Sequence, residues 1–260
     1  MNILVCLKLA ALAQSSGISA GAGERLAGGQ LGINPADLYA LELALRVRDR
    51  APGTEVTVLT MAPPFAEAAL REALALGADR AILVSDPRAA GSDTLATARV
   101  LAAAIKKLPP QDLILCGRKA IDSETGHIGP QLAYLLGLPA AAGVLGFSVS
   151  ASEIELTCAR DGFIAALRGR LPAVLSVCNG TDMIRRPTIP GLRQAKRAEI
   201  LRFDLDGLDL PSDSVGESGS PTRTIRLESV ALRKGRGRVY FDLVDGTAEL
   251  LKLLGRGDAS

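Results

Sequence analysis

The sequence predicts an α/β fold: a parallel sheet with helices on both faces, then antiparallel strands, then an extended C-terminal arm. Three observations predict it. Short aliphatic runs alternate with longer helical runs four times over the first ~140 residues, with short connections. From Ala140 onward strand-like runs follow one another without helices between them. Beyond Asn179 the chain turns basic, then acidic, and Pro and Gly interrupt it too often for an independent core. The predicted division is a domain over 1–180 and an arm over 181–260 that packs on a partner chain.

The elements justify themselves in order. Asn2 to Leu9 (NILVCLKL) reads as the first strand, and Ala10 to Gly32, rich in Ala, Gly and Ser, as a mobile surface linker. Asn34-Pro35 starts a helix, with Asn at the N-cap, Pro in the first turn and Asp37 near the positive end. Leu38, Leu41 and Leu45, with Ala40 and Ala44, form its core face. Thr54 to Met61 is a second strand, and Pro63-Pro64 open a helix that runs through Leu76 to Gly77. Asp79 to Val84 is a third strand. Ser92 and Asp93 cap a helix over Thr94 to Leu108, stopped by Pro109-Pro110. Asp112 to Cys116 is a fourth, buried strand. Later strands are expected at Val144–Val149, Glu153–Ala159, Phe163–Leu167 and Ala173–Val177, with an Asp161-Gly162 turn. The arm holds strand-like Ile225–Leu227 and Val239–Leu243 and an amphipathic helix over Thr247–Leu254.

Composition narrows the function classes. The 260 residues are 48% apolar, enough for a sizeable core. A net charge of +2 argues against a nucleic-acid footprint over the whole surface. No apolar run approaches the ~20 residues needed to span a bilayer, so no membrane insertion is expected. The amino terminus has no basic segment before its apolar run and reads as a strand, not a signal peptide. Cys6, Cys116, Cys158 and Cys178 lie far apart without a CxxC pair, which points to buried free thiols and a cytoplasmic location.

Chemistry concentrates in GRKAIDSETGHIGPQLAYLLG, Gly117 to Gly137, between the fourth strand and a helix over Ile128–Leu136. Asp122, Ser123 and Thr125 offer oxygens to cap that helix, and Gly126 and Gly129 admit close approach of backbone to a ligand. Unpaired amides at such a helix start suit a phosphate or pyrophosphate. Many α/β loops of this kind hold only water, and no P-loop or G-x-G-x-x-G fingerprint is present. In a parallel sheet, the strand ends at Cys6–Lys8 and Met61–Pro63 should meet this loop, with Asn34 within reach.

Four segments in order, ILVCLK with INPADLYALELALRVRD, EVTVLTMAPPFAEAALREALALGADRAILVSD, DLILCGRKAIDSETGHIGPQLAYLLGLP and RRPTIPGLRQAKR, resemble the beta subunit of electron transfer flavoprotein. The resemblance implies a Rossmann-like, adenine nucleotide alpha hydrolase-like fold. It implies a heterodimer with an alpha subunit that holds most of a redox-active FAD. It also implies a second adenine nucleotide in this chain, either AMP or another FAD as in electron-bifurcating members. Carried over by residue, the nucleotide contacts are Cys6, Asn34, Met61, Gly117, Ala120, Ser123, Gly126, His127 and Ile128, many of them through backbone. Asp122 and Thr125 join them on chemical grounds as hydrogen-bond partners. The ETGHIGP wording leans toward FAD, whereas Ala36, in place of the family's aromatic, argues against contacts to the flavin of the alpha subunit.

His127, the only histidine, reads either as a proton-responsive contact or as a stand-in for the glutamine the family often has there. Ile189 falls where the family has a leucine that inserts into a flavin-containing dehydrogenase, and Pro187 and Pro190 stiffen its loop. Arg185, Arg186, Arg193, Lys196 and Arg197 around it would steer an acidic partner. No catalytic triad or metal-ligand cluster stands out in the sequence, so the chemistry would belong to the flavin that the resemblance implies, and the role the resemblance implies is that of an electron carrier. A flavin-free nucleotide-binding module of the universal-stress-protein type is the alternative.

Overall fold

The structure is a computed structural model that describes residues 1–12, 31–180, 183–225 and 240–255. One nine-stranded sheet organises it, in the order β11 (Ile200–Phe203), β5 (Arg80–Val84), β4 (Glu55–Met61), β1 (Asn2–Cys6), β6 (Leu113–Gly117), β10 (Ala173–Val177), β7 (Ala140–Ser150), β8 (Glu153–Arg160) and β9 (Phe163–Arg170). From β11 to β7 every neighbouring pair is parallel. Period-two side chains divide along each strand. In β1, Ile3 and Val5 enter one core layer while Leu4 and Cys6 enter the other. The first layer packs against α1 (Pro35–Arg50) and α2 (Glu67–Leu76), the second against α3 (Thr94–Lys106) and α4 (Ile128–Leu136). Helices therefore cover both faces, as the alternating pattern predicts.

A meander of β7 (Ala140–Ser150), β8 (Glu153–Arg160) and β9 (Phe163–Arg170) extends the sheet on one side. The strand expected at Ala173–Val177 forms and joins the sheet: β10 inserts parallel between β6 and β7.

Three expectations change. The first strand ends at Cys6, and the chain then forms β2 (Leu9–Ala11), which pairs antiparallel with β3 (Leu31–Ile33). The ends of the expected linker are thus a ribbon, and its middle, 13–30, lies outside the described residues. The N-cap position of α1 is Asn34, but its side chain makes no capping bond.

The third change concerns the arm. Residues 183–222 fold onto the α/β domain, and the compact unit runs Met1–Glu228, not to 180. The segment contributes α5 (Ile189–Arg197) and β11 (Ile200–Phe203), which pairs with the sheet edge at β5. Leu205, Leu208 and Val215 are buried in the second core layer, so the acidic stretch is a strap, not a linker. Asp86 accepts from Leu205 N (3.1 Å), Asp93 accepts from Thr222 N (3.0 Å), and Ser92 Oγ accepts from Gly216 N (2.8 Å). In the second unit, Ser229–Ser260, Asp242 caps α6 (Leu243–Leu253) by accepting from Val244 N and Asp245 N. Strand-like Ile225–Leu227 falls largely outside the described residues, whereas the strand expected over Val239–Leu243 does not form: Tyr240 to Asp242 are irregular, Asp242 is spent as the cap, and Leu243 opens the helix.

Candidate functional site

Sheet order reverses at β1: β4 and β5 lie on one side and β6 on the other. The carboxyl ends Cys6, Met61 and Gly117 therefore border one crevice, where α/β sheets bind ligands. The start of α1 closes its base. Asp37, buried, accepts from the backbone amide of Lys8 (2.7 Å) with Oδ2 and from that of Gly117 (2.8 Å) with Oδ1. Asn34, also buried, donates to Lys119 O (3.1 Å) and accepts from Ile121 N (3.1 Å). A Cβ at Gly117 would run into Asp37 Oδ1 and the backbone of Ala36, so only glycine permits this approach.

The loop after Gly117 makes few bonds of its own. Ala120 O accepts from Ser123 N (3.4 Å) and Glu124 N (2.8 Å), forming one turn. Gly126 has φ +69°, a left-handed conformation natural to glycine. The amides of Thr125, Gly126, His127, Ile128 and Gly129 donate to no group among the described residues. Pro130, the third residue of α4, has no N–H to offer, and Gln131 N returns to His127 O (3.0 Å). The orphan donors of α4 thus gather at the crevice mouth with the positive end of the helix dipole. Gly129 brings them close to the sheet: a Cβ there would collide with Ser176 Oγ and press on Cys116 Sγ.

Charge at the mouth is positive but held. Lys8 Nζ donates to Asp122 Oδ1 (2.5 Å) and Lys119 pairs with Glu124 (2.9 Å), while Arg118 has no carboxylate partner among the described residues. Asp122 and Ser123 serve Lys8 instead of capping α4, whose N-cap is His127 without a side-chain cap bond. The expected capping by Asp122, Ser123 and Thr125 is thereby replaced by bare amides.

The remaining candidates have plain placements. Met61 is half-buried at the end of β4; Ala120 and Ile128 are half-buried, and Thr125 and His127 exposed, in the loop and helix start. Burial pushes the Cys6 thiol well above its usual range, helped by Cys116 and Asp37, and lifts Cys116 to about 12. Both stay protonated at neutral pH, so Cys6 offers bulk and backbone, not a thiolate. Asp37 is raised from 3.8 to about 6 by burial, against the two amides, Asn34 and Lys8 that favour its ionised form.

A second surface lies on α5. Thr188 caps it through Gly191 N (3.1 Å), Ala195 is buried against α2, and Arg71 donates to Ala195 O (2.5 Å) near its carboxyl end. So mounted, α5 leaves Ile189 and Leu192 exposed, at 68% and 47%. Arg186, Arg193, Lys196 and Arg197 are exposed and make no ion pair among the described residues. Arg185 differs: its guanidinium is spent on Glu42 (2.9 Å) and Asp49 (2.8 Å). Burial alone would push Glu42 up, but its bonds to Arg185 and Arg46 bring it below its ordinary value.

Sequence reasoning placed Lys8 at the crevice only as part of a strand end, and missed Asp37 and Glu42 as working residues. An acid three positions beyond an N-cap reads as a dipole partner; only the fold brings Lys8 and Gly117 to it.

Residues 27–208 match the electron transfer flavoprotein domain family, which is most of the chain. The chain belongs to the electron transfer flavoprotein family, among its beta subunits. It is 42% identical over 212 residues to Protein FixA of Bradyrhizobium diazoefficiens, covering 78% of this chain and 73% of that one. It is 37% identical over 209 residues to the electron transfer flavoprotein subunit beta of Megasphaera elsdenii, covering 78% and 77%. Subunit CarD of the caffeyl-CoA reductase-Etf complex of Acetobacterium woodii is 35% identical over 236 residues, 90% of each chain. The electron transfer flavoprotein fold accounts for the parallel sheet and its covering helices, and the family implies flavin and a partner subunit. Among the described residues no helix is long and apolar enough to cross a membrane, and no cluster of His, Cys, Asp or Glu could hold a metal ion.

Proposed function

We propose that this chain is the beta subunit of a heterodimeric electron transfer flavoprotein that acts in the cytoplasm. It holds an adenine nucleotide, AMP or FAD, in the crevice between β1, β4 and the Gly117–Gly129 loop. One observation carries the reading: five consecutive uncommitted amides at a helix start, beside Lys8, Arg118 and Lys119. That donor set fits phosphate or pyrophosphate, and the half-buried Met61 at the end of β4 suits an adenine face.

The residues would divide the work as follows. The amides of Gly126, His127 and Ile128 donate to phosphate oxygens, and Thr125 or Ser123 offers a hydroxyl to ribose. Asp122 and Glu124 release Lys8 and Lys119 toward the added negative charge. Flavin, when bound to the alpha subunit, supplies the electron-accepting ring; this chain supplies surface and position. Ile189 and Leu192 on α5 form an apolar anchor for a flavin-containing dehydrogenase, and the unpaired Arg186, Arg193, Lys196 and Arg197 steer its acidic surface. The C-terminal helix, with Leu243, Val244 and Leu253 exposed, packs on the alpha subunit.

Co-expression with an alpha subunit should give a yellow heterodimer, and denaturing it should release nucleotides that chromatography identifies. One FAD with one AMP indicates simple transfer, and two FAD leave bifurcation open. A colourless chain that forms no heterodimer and releases no adenine nucleotide would overturn the proposal.

A further inference from the structure

We propose that Asp37 is the positioning residue of the nucleotide loop: its carboxylate clamps the ends of β1 and β6 so that the loop amides face the ligand. The inference rests on the nucleotide reading of this crevice and adds a residue that touches backbone, not ligand.

Lys8 lies two residues beyond the end of β1 and Gly117 is the last residue of the neighbouring β6, and each turns its amide onto a different oxygen of the same carboxylate (2.7 and 2.8 Å). Neither amide has another acceptor. One turn of helix earlier, Asn34 fixes Lys119 O and Ile121 N. Four backbone groups of the crevice are therefore pinned to the first turn of α1, whose own core face is buried. The loop needs such support, because between Gly117 and α4 its only internal backbone bonds are the two to Ala120 O. Gly117 is shaped for the clamp, since any side chain would displace the carboxylate.

Titratable groups facing Asp37 are Cys6 on β1, Cys116 on β6 and Lys8, and only Lys8 is cationic. A carboxylate can accept from both amides at once; a carboxamide can accept from one and turns an N–H toward the other. Positioning and stability should accordingly separate. Replacing Asp37 removes a buried charge, which favours folding, and removes an acceptor, which loosens the loop.

The test uses the heterodimer with its alpha subunit, carrying either wild-type chain, Asp37→Asn or Asn34→Asp. Retained adenine nucleotide is followed by chromatography after rapid dilution, and re-added AMP is followed in parallel. Melting is measured on each complex stripped of nucleotide. Asp37→Asn should lose nucleotide about tenfold faster, the effect of one charge-assisted hydrogen bond, while its melting temperature stays within a few degrees. Should that variant fail to fold, Asn34→Asp, which repels Lys119 O but keeps the acceptor for Ile121 N, should show loss several-fold faster, on the scale of one hydrogen bond. Unchanged loss in whichever variant folds overturns the inference and leaves the site reading intact. Faster loss matched by an equal fall in melting temperature also overturns it, as mere destabilisation. A wild-type complex without adenine nucleotide overturns the site reading and this inference together.

Discussion

Asp37 carries a charge where its surroundings disfavour one, and its acidity records the conflict. Its folded value, about 6, lies above the ordinary 3.8. A group raised in this direction contributes stability that is fully present below pH 3.8 and lost as pH rises through about 6. The gap corresponds to on the order of 3 kcal/mol. Wild-type stability relative to Asp37→Asn should therefore rise as pH falls from 7 toward 4, read by urea unfolding at each pH. Parallel curves for the two proteins would show that Asp37 does not titrate in this window. Asp86 shows the opposite direction. Its bonds to Arg88 and Leu205 N hold its carboxyl well below the usual range, so its hold on the strap persists until strongly acidic pH. Little of this was legible in the sequence. Asn34-Pro35 announced a helix, but that Asn34 turns away from its cap to bind Lys119 and Ile121 depends on a loop some ninety residues later.

Elements read better than side-chain partners. Strand and helix limits from Glu55 to Leu136 lie within a few residues of the expected ones, because period-two and helical burial are written directly in the order of apolar residues. The expected start of α4 at Ile128 held, and so did the Asp161-Gly162 turn between β8 and β9. The segment after Asn179 failed to read as folded because its buried residues, Leu205, Leu208 and Val215, follow neither period and sit among Gly, Ser and Asp. α5 likewise looked like an exposed loop, and its mounting depends on Gly191 meeting Ala75 O and on Arg71 from α2. A rigid mount with an exposed Ile189 suits an anchor, since little order remains to be gained on docking. Ile189→Ala should slow electron exchange with a dehydrogenase roughly tenfold, on the scale of a truncated interface anchor, at unchanged flavin content. Stopped-flow rates equal to wild type would remove α5 from the docking surface. Arg185→Ala should act differently, by loosening the segment through Glu42 and Asp49, not by removing a free charge.

At the scale of the molecule, membership of the electron transfer flavoprotein family and the nine-stranded sheet agree with the order of elements written along the chain. The compact unit ends at Glu228 rather than at residue 180, because β11 completes a sheet edge and the strap covers α3. The reversal at β1 brings the ends of β1 and β6 together with the Gly117–Gly129 loop, where the proposed nucleotide would lie. What the sequence could not show is the state of the amides there, which is a property of folded backbone. The most direct measurement is hydrogen exchange of residues 125–129 in the purified heterodimer, with its nucleotide and after the nucleotide is stripped. Slow exchange only when nucleotide is present is the predicted result. Equal exchange in both states, with nucleotide demonstrably bound, would contradict the account.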